Sequence, residues 1–119
     1  MLRRSHWKET IVFSFANGAA GAGLIQSKLI PACGEVLNIH QINTDPTTPR
    51  TAKLTIENAS GNELWDGTAK NSNSVFDHEF GVTIRRIVTG SEMLKCVCAG
   101  DPGASGYTVT AIVSMFGGG

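Results

Sequence analysis

At 119 residues, 41% of them hydrophobic, the chain has room for one domain with one core and enough apolar material to fold without staples. Ten Lys plus Arg offset ten Asp plus Glu, so nothing in the net charge draws the chain toward nucleic acid or an anionic membrane. Charged residues are only 17%, against roughly 25% in ordinary soluble domains, a balance that favours association over mutual repulsion.

Residues 1–9 read as a polar N-terminal arm. Arg3 and Arg4 could open an export signal, but Trp7, Lys8 and Glu9 follow with no long apolar run, so no signal peptide is expected. No stretch approaches the ~18 consecutive apolar residues of a membrane helix, and synthesis in a reducing cytosol, with no membrane partner, is expected.

From residue 10 onward the dominant signal is alternation, the period of a half-buried strand. Ile11, Phe13 and Phe15 share one face of a first strand. A flexible loop spans Asn17 to Gly23, whose glycines argue against helix, and a short strand runs from Leu24 to Ile30 until Pro31 stops it. Another strand covers Glu35 to Ile42, with Leu37 and Ile39 expected to face the core. Asp45-Pro46 and Pro49 make the next segment a loop. Thr51 to Glu57 is the cleanest strand, with Ala52, Leu54 and Ile56 on the dry face and Thr51, Lys53, Thr55 and Glu57 on the wet one.

Asn58 to Asn62 is a turn of hairpin length, Glu63 to Trp65 returns as a strand, and Asp66-Gly67 turns again. A polar loop is expected over Lys70 to Ser74. Then come a strand from Val75 to Phe80 with Phe76 and Phe80 on one face, a corner at Gly81, alternation over Val82 to Ile87, and a turn at Thr89-Gly90-Ser91. Met93 to Ala99 is a strand, residues 100–106 form a long turn, and Tyr107 to Phe116 is the last strand, rich in the Thr, Val and Ile that a pleated surface accommodates. Residues 117–119 read as a flexible tail. The sum is an all-β, single-domain antiparallel β-sandwich of about eight strands over residues 10–116, with a jelly roll as one way to arrange it.

Candidate chemistry is sparse. Cys33, Cys96 and Cys98 are odd in number, which argues against a closed disulfide framework, and Cys96 and Cys98 read as buried free thiols on one strand face. Asp77, His78 and Glu79 are the densest polar cluster, but on a strand His78 points away from its neighbours, toward what reads as a solvated edge. Cys96, Cys98 and His78 form the only metal combination to weigh, and Cys-x-Cys is not the spacing that structural zinc prefers, so no cofactor or metal is expected. The glycines at 18, 21 and 23 lack the order and the Lys-Ser/Thr ending of a phosphate loop. Asn58-Ala59-Ser60 matches a glycosylation acceptor without a secretion signal to go with it.

Arg85-Arg86 and the arm with Arg3, Arg4 and Lys8 are the basic clusters. They suit an acidic protein neighbour better than nucleic acid, which would want more cations and accessible aromatics. Most aromatics are needed for the core. Trp65, beside a turn, and Trp7 complete the expected protein-contact set of Arg3, Arg4, Trp7, Trp65, Arg85 and Arg86.

The run from Thr51 to Gly67, a strand ending in a polar turn with Gly61-Asn62 and followed by a short apolar strand, resembles small virion proteins of tailed bacteriophages. Gly34-Glu35-Val36-Leu37 and the strand from Tyr107 to Val113 resemble the same group, so the likeness spans about residues 10–116. It implies a β-sandwich decoration, cement or tail-associated subunit with no active-site residues to carry over; Cys96, Cys98 and His78 lie outside the pattern. The expected function is therefore that of a non-enzymatic virion structural protein. It would be made in the host cytoplasm, form a homo-oligomer, and stabilise the capsid through contacts with the major capsid protein or tail proteins. A neck, tail or baseplate subunit, a cellular carbohydrate- or protein-binding module, and a small metalloenzyme are the other readings.

Overall fold

A computed structural model describes residues 4–31, 33–80 and 86–118. Its strands in chain order are β1 (Arg4–Phe15), β2 (Ile25–Leu29), β3 (Cys33–Asn43), β4 (Ala52–Glu57), β5 (Glu63–Lys70), β6 (Ser74–Glu79), β7 (Arg86–Thr89), β8 (Met93–Cys98) and β9 (Tyr107–Gly118). A single 3-10 turn, Gly21–Leu24, leads into β2.

The strands form two antiparallel sheets. One has the order β1-β9-β3-β6, with β7 also on β3; the other has the order β2-β8-β4-β5. Strands β6 and β7 lie on the same edge of β3, β6 opposite Asn38–Asn43 and β7 opposite Cys33–Val36, so they are two pieces of one interrupted strand. Counted that way, eight strands pair such that the first neighbours the last, the second neighbours the next to last, and so on inward to β4 and β5. That is the double Greek key of a jelly roll, one of the arrangements expected for the sandwich.

Alternation explains the core. Ile11, Phe13 and Phe15 of β1, the odd-numbered residues Tyr107 to Met115 of β9, and Ala52, Leu54 and Ile56 of β4 all point between the sheets and are buried. In β3 the rhythm breaks at a bulge between Val36 and Asn38, which shifts the register against β9 by one residue. Val36 and Ile39 therefore face the core, and Leu37, expected there, is the extra residue and only half-buried. Its carbonyl accepts from the Phe80 N–H at 3.0 Å, where the β6–β7 strand is interrupted.

Other local expectations change for equally physical reasons. The arm assigned to residues 1–9 is strand from Arg4 on, because Arg4 to Glu9 pair with Gly118 to Val113. The tail expected from residue 117 is likewise strand at Gly117 and Gly118. The Trp7 ring lies over Gly34 and Gly117, where a Cβ would come within 3.1 and 2.8 Å of it, so glycine in these strands is the floor under an aromatic side chain rather than a sign of disorder. The turn expected at Asp66-Gly67 is a bulge inside a longer β5. Two residues, Gly67 and Thr68, sit opposite Leu54, Thr68 takes a positive φ of 62°, and the Asp66 carboxylate accepts its N–H at 2.8 Å. The polar loop then shrinks to residues 71–73. The alternation expected over Val82 to Arg85 falls outside the described residues.

The ends of the sandwich are tied by polar turns. Thr44 and Thr108 exchange side-chain and backbone hydrogen bonds, as do Thr47 and Ser105, which zip the loop after β3 to the loop before β9. The buried Glu92 closes the β7–β8 turn by accepting from the N–H groups of Thr89 (2.7 Å) and Ser91 (3.3 Å). Burial works against its ionised form, but those bonds outweigh it and hold its pKa below the usual value.

Candidate functional site

The three histidines lie in three settings. His6 is on the outer face of the five-stranded sheet, stacked on Phe116 with ring centroids 4.7 Å apart. His40 is on the same face, its Nδ1 2.7 Å from Asp77 Oδ1, and Asn38 donates to the same oxygen at 3.3 Å. These two donors hold the Asp77 pKa below its ordinary value, the His40 bond first. For nucleophilic catalysis a His–Asp pair needs a nucleophile on the far ring nitrogen. Among the described residues no hydroxyl or thiol occupies that position on His40.

His78 points inward, as its alternation with Asp77 and Glu79 requires, but the solvated edge expected for it is a half-buried polar seam. Its Nε2 lies 2.8 Å from Oε1 of the buried Gln41, whose amide nitrogen donates to Asn43 Oδ1 (3.0 Å) and Ala52 O (3.3 Å). Since the Gln41 nitrogen is committed as donor, its oxygen must accept, and His78 is the neutral tautomer with the proton on Nε2. Burial lowers the His78 pKa, Lys70 lowers it further, and Asp77 partly compensates. The residue is a structural donor inside the seam between β5 and β6.

Cys96 and Cys98 sit in the core as free thiols, and Cys33 is exposed and free, donating to Thr89 O at 3.2 Å. Burial first, and Cys98 second, push the Cys96 thiol up to about 12, so it stays protonated and inert at neutral pH. Titrated with an aromatic disulfide reagent, the native protein should react rapidly at one thiol, and at three only in denaturant. A second fast thiol in the native state would contradict this burial. No group of three or more His, Cys, Asp or Glu side chains able to hold a metal occurs among the described residues.

Both tryptophans of the expected contact set pack inward. Trp65 is half-buried, 5.1 Å from the His78 ring and 5.0 Å from the Phe80 ring, and roofs Gly67, where a Cβ would come within 2.6 Å of it and 2.8 Å of Leu54 O. Gly67→Ala should therefore cost roughly 1–3 kcal/mol in a urea melt by lifting this ring. Arg4 lies at the start of β1 and Arg86 at the start of β7, while Arg3 and Arg85 fall outside the described residues. The glycine-rich loop spends the Gly18 N–H on the Asp101 carboxylate at 2.9 Å, so its own chain supplies the anion. At the same end a shallow cavity of about 170 Å³ is lined by Pro49, Arg50, Thr51, Asn71 and Ser72.

The outer face of the five-stranded sheet follows directly from the register. One row across it reads Val12, Thr110, Ile42, Val75; the next reads Thr10, Ile112, His40, Asp77; the third reads Lys8, Ser114, Asn38, Glu79. Val12 and Val75 are 39% and 56% exposed and Ile42 and Ile112 are half-exposed, so the first row is wholly β-branched and continues through Thr10 and Ile112 of the second, whose other half is the His40–Asp77 pair. The four-stranded sheet also exposes apolar side chains, Ile25 and Leu29 on β2 and Leu64 on β5, but its outer face is laced by Lys53–Asp66 (3.4 Å) and Lys95–Glu57 (3.5 Å) ion pairs. Alternation alone told which residues of each strand face outward; which strands lie side by side depends on long-range pairing, so the rows were not readable from sequence.

No protein-family model matches the chain, and no curated protein matches it either.

Proposed function

We propose that the chain is a non-enzymatic structural subunit of a larger assembly, specifically a decoration or cement subunit of a phage capsid that works by packing against protein neighbours. The observation that carries this reading is the outer face of the five-stranded sheet, where exposed Val12 and Val75 flank Ile42 and Ile112 on a chain of zero net charge. Exposed apolar surface of that kind marks interaction sites, and a neutral chain does not repel its own copies. Jelly rolls serve in viral capsid domains and also in lectins, so the fold supports the reading only by analogy. A sugar-binding face would want exposed aromatic platforms, and here both tryptophans pack against the core. The His40–Asp77 pair has no hydroxyl or thiol on its far ring nitrogen among the described residues, as a nucleophilic triad would need.

Mass spectrometry of gradient-purified particles from a producing culture is the test. Peptides of this chain should be recovered in fixed proportion to the major capsid protein, and Val75→Lys should reduce that proportion. Recovery only from the soluble cell fraction would overturn the proposal.

A further inference from the structure

The outer sheet face is patterned to meet itself. In the third row Lys8 stands on the edge strand β1 and Glu79 on the opposite edge strand β6, separated by Ser114 and Asn38. Neither has an ion-pair partner among the described residues. In the first row the same two edge strands carry Val12 and Val75. We propose that the partner of this face is a second copy of the chain, related by a two-fold axis that runs along the strands between β9 and β3. The proposal rests on the reading that the face is a protein contact and names its occupant.

The geometry of that axis decides the pairing. Rotation about a line parallel to the strands keeps each row at its own height and exchanges left with right. Strand β1 of one copy then covers β6 of the other, and β9 covers β3. Lys8 meets the second copy's Glu79, twice by symmetry; Val12 meets Val75; Thr110 meets Ile42; Ile112 meets His40; and Thr10 brings a hydroxyl to the Asp77 carboxylate. An in-plane axis perpendicular to the strands would instead fold each strand onto its own copy, with like side chains together at the centre and no partner of opposite sign for Lys8. Facing sheets in aligned packing cross at about −30°, so the match is best in the middle row and loosens toward the first and third.

The area is of the right order. Strands β1 and β9 of 12 residues, β3 of 11 and β6 of 6, at about 4.8 Å spacing and about 3.4 Å per residue, give a face of roughly 670 Å², somewhat under the ~800 Å² per partner of a standard interface. The composition also fits an isologous contact, which must be self-complementary: β-branched side chains across the first row and into the second, and, in the third, one opposite-sign pair toward each side. On the four-stranded sheet Lys53, Asp66, Lys95 and Glu57 are already paired within the chain.

Sedimentation velocity and light scattering on the full chain test this directly. The expected species has twice the monomer mass. Val75→Lys and Ile112→Lys should each give monomer, with circular dichroism confirming that the variants fold; Val75, the more exposed, serves if Ile112→Lys does not. Lys8→Glu and Glu79→Lys should each weaken the dimer by about tenfold or more through like-charge contact, and the double swap should restore it to within a few-fold of the parent. A chain that stays monomeric, a dimer indifferent to Val75→Lys, or a double swap that rescues nothing would overturn the proposal. A monomer that is nonetheless recovered from particles would sink this inference alone, whereas a dimer absent from particles would sink the virion reading alone.

Discussion

Replacing Gln41 with leucine should destabilise the protein by roughly 2–4 kcal/mol, although the shape is nearly kept and the position lies fully inside the sandwich. The loss comes from the partners left behind. Gln41 accepts the His78 Nε2 proton and donates to Asn43 Oδ1 and Ala52 O, and Asn43 in turn donates to Asn71 O at 2.9 Å. Leucine leaves a ring N–H and two oxygens facing apolar surface, and a half-satisfied buried network costs more than none. A urea melt at pH 8 measures the effect, and a loss below ~1 kcal/mol would mean that water enters the seam freely.

The pH dependence of the parent protein follows from the same contacts. His78 is folded in its neutral form with a pKa below that of the unfolded chain. The unfolded state therefore binds the proton first, and stability is complete above about pH 6.5 and declines as pH falls through that value. Asp66, Asp77, Asp101 and Glu92 have pKa values below their ordinary ones, so their contributions persist to lower pH and vanish only as the carboxylates protonate. A His78→Gln variant, which keeps a donor toward Gln41, should lose the step near pH 6.5 and keep the acid limb.

How far the fold could be read from the sequence depended on whether a feature was local. The dry face of β4, the Phe13 stripe of β1 and the chain-ending strand came from period two alone, because a side chain's facing is fixed by its own strand. Leu37 was misassigned because a bulge is defined by the partner strand opposite it, and nothing at Val36-Leu37-Asn38 marks one. Asp66-Gly67 has the chemistry of a turn and uses it, Asp66 capping Thr68, but within a bulge whose register is set by β4. Gly117 and Gly118 read as tail because nothing local shows that Trp7, 110 residues earlier, will lie over Gly117. The outer face was beyond reach for the same reason. Lys8 and Glu79 occupy one row only once β1, β9, β3 and β6 have paired.

Phe13→Ala should be the most damaging single change, costing about 3–5 kcal/mol, a large share of the 5–15 kcal/mol that holds an ordinary domain. Phe13 is completely buried, and its removal leaves a cavity at the point where the edge strand β1 is anchored. The damage should extend to the edge itself. On β1, Val12 O and both backbone groups of Ser14 are taken by β2 side chains. Lys28 Nζ donates to Val12 O at 2.5 Å, and the Gln26 amide both donates to Ser14 O and accepts from Ser14 N. Those side chains imitate a neighbouring strand and close this part of the edge against other chains. The Lys28 ammonium also lies 5.8 Å from the centre of the Phe13 ring, so the truncation removes its support as well. Phe13→Ala should therefore lower the urea midpoint and raise concentration-dependent aggregation. Lys28→Met, which leaves the core intact, should cost under about 1 kcal/mol yet raise aggregation in the same direction. Aggregation in the first variant without any in the second would assign the effect to unfolding alone. Aggregation in both would show that these side chains close this part of β1 against strand-to-strand extension.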